Sequence, residues 1–204
     1  MATIYYTASS LDGFIADPDH SLDWLLQLGD PEGLGFQGFL DQVGALAMGA
    51  TTYRWLLDHR DIAMPEGWPY RVPAWVFSHR PHPGVEGADI RFVSGEVGPP
   101  HREMRAAAGQ RDLWIVGGGD LAGQFHDQGL LDRIIVSIAS VTLGAGSPLL
   151  PRRLSRPLRL VSAERFGTDF AQLTYEIPHD REDAVAAPPE ARDTARSGPE
   201  VSAP

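Results

Sequence analysis

The chain has 204 residues, which allows one large domain or two small ones, and with 43% of them apolar it can bury a sizeable core; it carries 17 arginines, 27 acidic side chains and a formal charge of −10. It contains no cysteine, which excludes disulfides, thiolate nucleophiles and zinc–thiolate sites, and no lysine, which excludes Schiff-base chemistry and a Walker A phosphate loop. The acidic balance speaks against a nucleic-acid partner, so an anionic ligand has to be met by arginines, hydroxyls and helix ends.

The opening Met1-Ala-Thr-Ile-Tyr-Tyr6 has no basic segment ahead of an apolar run, and no apolar run reaches membrane-spanning length. A cytoplasmic protein without a membrane partner is the expectation. Thr3 to Thr7 reads as a first strand, since Ile4, Tyr5 and Tyr6 favour extended structure. The segment that follows joins a turn-forming Asp12-Gly13 to a brief apolar patch, Phe14 to Ala16, and suits a loop that covers a ligand. Ser21 is placed to cap a short helix carrying Leu22, Trp24, Leu25 and Leu28. A second helix is expected over Leu34 to Gln42, offering Phe36, Phe39 and Leu40.

Ala45 to Met48 is a short apolar run that ends in Gly49 and leads into a helical segment, Thr51 to Leu57. Thr51 and Thr52 there either cap the helix or meet a phosphate. Met64 to Tyr70 reads as a proline-rich surface connection. Pro73 to Phe77 is a strand closed by Ser78-His79-Arg80, which is either a compact anion-binding set or a polar strand end reaching solvent. Ile90 to Val93 is a further strand and Pro100 to Ala108 a helix.

Leu113 to Val116 then reads as a buried strand, followed by Gly117-Gly118-Gly119-Asp120 and a helical pattern of Leu121, Phe125 and Leu130. Three glycines between strand and helix either make a tight turn or let a ligand approach the backbone, with free N–H groups ready for a phosphate. They do not form the dinucleotide fingerprint G-x-G-x-x-G. The order strand, glycine, helix matches that at Gly49, and two helix ends can cradle one pyrophosphate from two sides. Leu131 to Ala139 is a long strand, Val141 to Leu149 a turn-rich excursion, and Leu158 to Ala163 and Phe170 to Ile177 the last strands, joined at Gly167-Thr168-Asp169. Residues 178–204 lack the apolar area to offset ordering entropy and are expected to be a disordered tail beyond a domain of residues 1–177. The fold class expected is α/β, a mostly parallel central sheet with helices on both faces and an antiparallel C-terminal hairpin.

Five segments in this order, Ser10-Leu-Asp-Gly-Phe-Ile-Ala16, Met48-Gly-Ala-Thr-Thr-Tyr53, Trp114-Ile-Val-Gly-Gly-Gly119, Gly129-Leu-Leu-Asp132 and Val141-Thr-Leu-Gly-Ala-Gly-Ser-Pro-Leu149, resemble the bacterial dihydrofolate reductase-like family. The likeness is to the reductase domain of the bifunctional riboflavin-biosynthesis deaminase-reductase, over residues 2–177. It implies an oxidoreductase using NADPH, a small heterocyclic (pteridine- or pyrimidinone-like) substrate, and a homodimer formed through the sheet-rich end. It also implies that Gly49, Thr51 and Thr52 meet the cofactor phosphates from one side and Gly118, Gly119, Asp120 and Leu121 from the other, with a cis peptide between Gly117 and Gly118. Ser78, His79 and Arg80 correspond to the adenosine side with its 2′-phosphate, and Ala8, Ile15 and Ala16 to the nicotinamide pocket. The chain departs from the pattern at Ala50, where an arginine is frequent, at Arg133 and at Ser140. Without cysteine for a zinc site, no deamination is expected of it.

Hydride transfer needs a proton donor, and Asp12 and Asp23 are the carboxylates put forward, with Asp17 beside them. Asp12 alternatively only turns the backbone, and Asp23 only occupies a first helical turn. His20 and His126 are too isolated in sequence to read as a base or a metal pair. A non-catalytic nucleotide-binding module and a flavin-dependent reductase stay open as other readings.

Overall fold

Strands buried on both faces send alternate side chains into two separate cores. In β1 (Thr3–Ser10), Tyr5 packs into one core while Ile4 and Tyr6 pack into the other. The computed structural model describes residues 1–28, 35–64 and 67–179. In chain order β1 is followed by β2 (Phe14–Ala16), α1 (Asp23–Leu26), α2 (Phe36–Gln42), β3 (Val43–Gly49), α3 (Ala50–Asp58), α4 (Arg60–Ala63), β4 (Ala74–Phe77) and β5 (Ile90–Val93). Then come α5 (Gly98–Ala108), β6 (Asp112–Gly117), α6 (Gly119–Asp127), β7 (Arg133–Ala139), β8 (Ser147–Pro148), β9 (Arg159–Phe166) and β10 (Phe170–Glu176).

Eight strands form one sheet in the order β5-β4-β3-β6-β1-β7-β10-β9. The first six run parallel, and β10 lies antiparallel to both β7 and β9. Helices α5 and α6 bury Met104, Ala108, Leu121, Ala122 and Phe125 in the core around Tyr5, Trp75 and Ile115. On the other face α3 buries Tyr53 and Leu56 against Ile4, Met48, Val76 and Trp114, with Phe39 and Leu40 of α2 packed beside them. This is the expected α/β class with helices on both faces and an antiparallel hairpin. Among the described residues no helix is long and apolar enough to cross a membrane.

Several elements differ from their sequence reading. β1 runs on to Ser10 because its small residues pair with Ser137, Ile138 and Ala139 of β7, so a neighbouring strand extends what local propensity ends at Thr7. The apolar patch Phe14 to Ala16 and the excursion at Ser147-Pro148 pair with each other as a two-stranded sheet. The segment from Met64 to Tyr70 is only in part a surface connection: Gly67 and Pro69 are exposed, but Met64 is buried and Trp68 and Tyr70 pack on the core, while positions 65 and 66 lie outside the described residues. Leu34, expected to open a helix, also lies outside them, and α2 starts after Gly35. Ser21 does not occupy the cap position, which falls to Leu22, yet its hydroxyl accepts the Asp23 N–H at 3.0 Å. Leu130 lies past the end of α6, because Gly129 at φ 66° turns the chain out and the Leu130 N–H closes on the Phe125 carbonyl. At the C-terminus, Pro178 and His179 are described, with His179 Nε2 3.0 Å from the Asp132 carboxylate; the rest of the expected tail, 180–204, lies outside the described residues.

Candidate active site

Four neighbouring parallel strands, β5, β4, β3 and β6, end at the same edge of the sheet, and their C-terminal residues enclose a cleft of about 340 Å³. Ser94 and Gly95 come from beyond β5, Ser78 and His79 from beyond β4, Gly49 from β3 and Gly118 from beyond β6. Ligands in open α/β sheets collect at this edge, where strands turn into helices and first-turn N–H groups are free. Here β3 leads into α3 and β6 into α6, and neither helix has a side-chain cap. Thr51 and Thr52 sit within the first turn of α3, so the capping alternative is not taken up and both side chains border the cleft.

A second cleft of about 420 Å³ adjoins the first and shares Thr51, Thr52, Gly118 and Asp120 with it. Its remaining wall is largely apolar, with Ile15 and Ala16 of β2, Trp55 and Leu56 of α3, Tyr70 and Val116. Gly117 and Gly119 line it as well. Burial pushes the Tyr70 hydroxyl up to about 12, which keeps it neutral. Gly117 permits the close meeting of strand and helix here, since a Cβ on it would lie 2.8 Å from the Thr52 hydroxyl. A Cβ on Gly49 would meet nothing within 4 Å and would stand in the open cleft. The turn into α6 is made by Gly118 at φ 93° and ψ 98°. Among the described residues no peptide bond is cis, so the cis bond expected between Gly117 and Gly118 is absent.

Asp120, in the first turn of α6, is the carboxylate common to both clefts. Its oxygens accept from the Gln124 amide at 2.9 Å and from Arg152 Nη2 at 3.0 Å. Gln124 and Arg152 together hold its carboxyl below the ordinary range. Arg152 is fixed in turn by Asp127, 2.8 Å from its Nε, and by the Pro151 carbonyl.

The model of the RibD C-terminal domain matches residues 71–172, half of the chain. The chain belongs to the RibD C-terminal domain family. Within and around this family it is similar to YwjB, an uncharacterised protein of Bacillus subtilis (strain 168), with 29% identity over 85% of this chain and 96% of YwjB. Among solved structures it is similar to a Shewanella sp. PV-4 protein provisionally named for riboflavin biosynthesis, with TM-score 0.71, 29% identity and coverage of 86% of this chain and 98% of that one. The fold is also that of dihydrofolate reductase from Enterococcus faecalis, solved with NADP(H), at TM-score 0.55 and 13% identity over 86% of this chain and 95% of that one.

For this family member the structure brings most of the residues named from sequence to the two clefts. Gly49, Thr51, Thr52, Ser78, His79, Gly118, Asp120 and Leu121 border the first, and Ile15, Ala16, Gly117 and Gly119 the second. Ala8 and Arg80 line neither. Arg80 is exposed, and its N–H is drawn back to the Ser78 hydroxyl at 3.0 Å, while that hydroxyl donates to the Arg80 carbonyl. Neither carboxylate put forward as proton donor lines a cleft. Asp12 accepts from the Ser10 hydroxyl and from the N–H groups of Leu143 and Gly144, a tie that keeps it ionised. Asp23 is exposed in the first turn of α1.

Sequence reading missed Ser94, Gly95 and Gln124 in the first cleft and His20, Trp55, Tyr70 and Ser147 in the second. Ser94-Gly95 carried a usable signal, a small residue and a glycine directly after a strand, as at Gly49.

Proposed function

We propose that this protein is an NADPH-dependent reductase that delivers hydride to a small heterocyclic, pteridine- or pyrimidinone-like acceptor. One observation carries the reading: two strand–glycine–helix units from neighbouring strands present uncapped helix N-termini to a wall shared by a polar and an apolar cleft.

The residues fit a dinucleotide. The space beyond Gly49 is one a Cβ would fill, and α3 and α6 offer first-turn N–H groups and the positive ends of their dipoles to a pyrophosphate. Gly49, Thr51 and Thr52 would hold it from one side and Gly118, Asp120 and Leu121 from the other, the last three through backbone. Ser78, His79 and Arg80 take the adenosine end, and the apolar cleft beside Ile15, Ala16 and the glycines takes the reacting rings. A reduced nicotinamide bound there supplies the hydride. The side chains of the apolar cleft exclude water and hold the acceptor ring against the glycine turn.

Titration with NADPH, followed by its fluorescence, tests the reading: saturable binding is expected, and none up to millimolar cofactor overturns it. Acceptor-dependent oxidation against pteridines, pyrimidinones and quinones then tests turnover. Neither carboxylate put forward as donor lines the clefts, and this favours one other reading, a nucleotide-binding module without turnover. Tight NADPH binding with no oxidation of any acceptor would establish that instead. A second copy of the chain would pair along the edge strand β9, where Leu160 and Val161 are 54% and 52% exposed, and sedimentation of the full chain reads this directly.

A further inference from the structure

The apolar cleft has no permanently cationic side chain among its described lining residues. Its wall is made by Ile15, Leu22, Trp55, Leu56, Tyr70 and Val116, and among the described residues lining it the one permanent charge is the Asp120 carboxylate. A phosphate ester seated here would lose hydration against apolar walls with no permanently cationic side chain among the described lining residues, since the Arg152 guanidinium outside the lining is taken up by Asp120 and Asp127. The positive ends of α3 and α6 are committed to the dinucleotide in the reading above, on which this inference rests.

Hydroxyls of Thr7, Thr51, Thr52 and Tyr70 are spread over the wall, and one pair of polar side chains stands together on it. His20 Nδ1 is 3.3 Å from the Ser147 hydroxyl, and both residues line the cleft. His20 is the one non-glycine residue among those described with positive φ, 61°. Asp17 imposes this conformation: its carbonyl accepts the His20 N–H at 3.0 Å, and its carboxylate accepts the N–H groups of Asp19 at 2.9 Å and Ser21 at 2.7 Å. An imidazole and a hydroxyl side by side at the rim of a largely apolar wall match the carbonyl or ring nitrogen on one edge of a ring.

We propose that this cleft takes an uncharged, largely apolar ring compound, oriented by His20 and Ser147, and discriminates against phosphorylated acceptors. Riboflavin and FMN probe this directly, since they share a ring and side chain and differ by one phosphate. Equilibrium dialysis of the full chain, saturated with NADP⁺ so that the helix ends are filled, is expected to show riboflavin binding at least about tenfold tighter than FMN. Leu22→Arg, or Pro151→Arg if that variant does not fold, should narrow the gap by raising FMN affinity. Equal or tighter binding of FMN overturns the proposal, as does no binding of riboflavin. Titration of NADP⁺ on the same samples is a separate readout. Failure of NADP⁺ to bind overturns the dinucleotide reading, and the riboflavin-to-FMN ratio without it then decides the present proposal.

Discussion

The Thr52 hydroxyl stands where a side chain on Gly117 would begin, 2.8 Å from the position of its Cβ. This close approach joins the end of β6 to the first turn of α3 and so sets the wall shared by both clefts. Gly117→Ala is expected to cost about 1–3 kcal/mol in stability, the usual scale for overpacking, and to weaken NADPH binding. Thr52→Ala in the same chain removes the obstructing atoms and should restore the melting temperature. Thermal unfolding of the single and double variants measures this, and a double variant no more stable than Gly117→Ala would show that Thr52 is not the obstruction.

Asp120 lies at the positive end of α6, where it competes with any anionic ligand for the same field. Arg152 offsets that charge through its contact at 3.0 Å. Arg152→Ala should therefore weaken NADPH binding by about twofold to fivefold, while Asp120→Asn/Arg152→Ala should bind as the wild type does. Stability should change little, since Asp120 is 65% and Asp127 51% exposed and water screens both pairs. Dissociation constants for the three proteins decide between charge compensation and a merely structural tether, which Asp120→Asn would not rescue.

Asp12 ties the end of β1 to Leu143 and Gly144 across 131 and 132 positions of sequence. The Ser10 hydroxyl first, and then the N–H groups of Gly144 and Leu143, hold its carboxyl below the ordinary value of 3.8. A depressed pKa of this kind stabilises the fold above the ordinary value, and that contribution is lost as pH falls through the folded pKa. The loop at Leu143 should thus loosen in acid below the ordinary carboxylate range and hold its order at neutral pH. Asp12→Asn should speed hydrogen exchange at Leu143 and Gly144 by about tenfold at neutral pH, the scale of a lost charge-assisted bond. Turnover falling by orders of magnitude with unchanged exchange would instead return Asp12 to the role of proton donor.

Selection of NADPH over NADH needs a donor for the 2′-phosphate. In the proposed reading, with Ala50 in place of the arginine frequent in the family pattern, Arg80, exposed beyond the end of β4, would take that duty. Arg80→Ala should cost about 1–3 kcal/mol in NADPH affinity and leave NADH nearly unchanged. Both constants are measured at fixed salt to separate the contact from general electrostatics. Equal weakening of both cofactors would remove Arg80 from the phosphate site.

Local signals in the chain determined a great deal. Unbroken apolar runs such as Ala45 to Met48 and Leu113 to Val116 specify strands buried on two faces, because period-two side chains then feed two cores at once. Glycines directly after those runs, at Gly49 and Gly117 to Gly119, mark where backbone meets space or another element, and the structure places them all at one sheet edge. Tertiary structure alone decided the neighbours. The order β5-β4-β3-β6 brings Ser94 and Gly95 to Gly49, and pairing of β2 with β8 carries Ser147 to His20. Strand order also withdrew Asp12 from the clefts by giving its oxygens distant N–H partners, and set Arg152 on Asp120 and Asp127. Such partners leave no periodicity or spacing to read: a hydrogen bond across a hundred residues depends on which strands lie side by side, and that is settled by how whole elements share two cores.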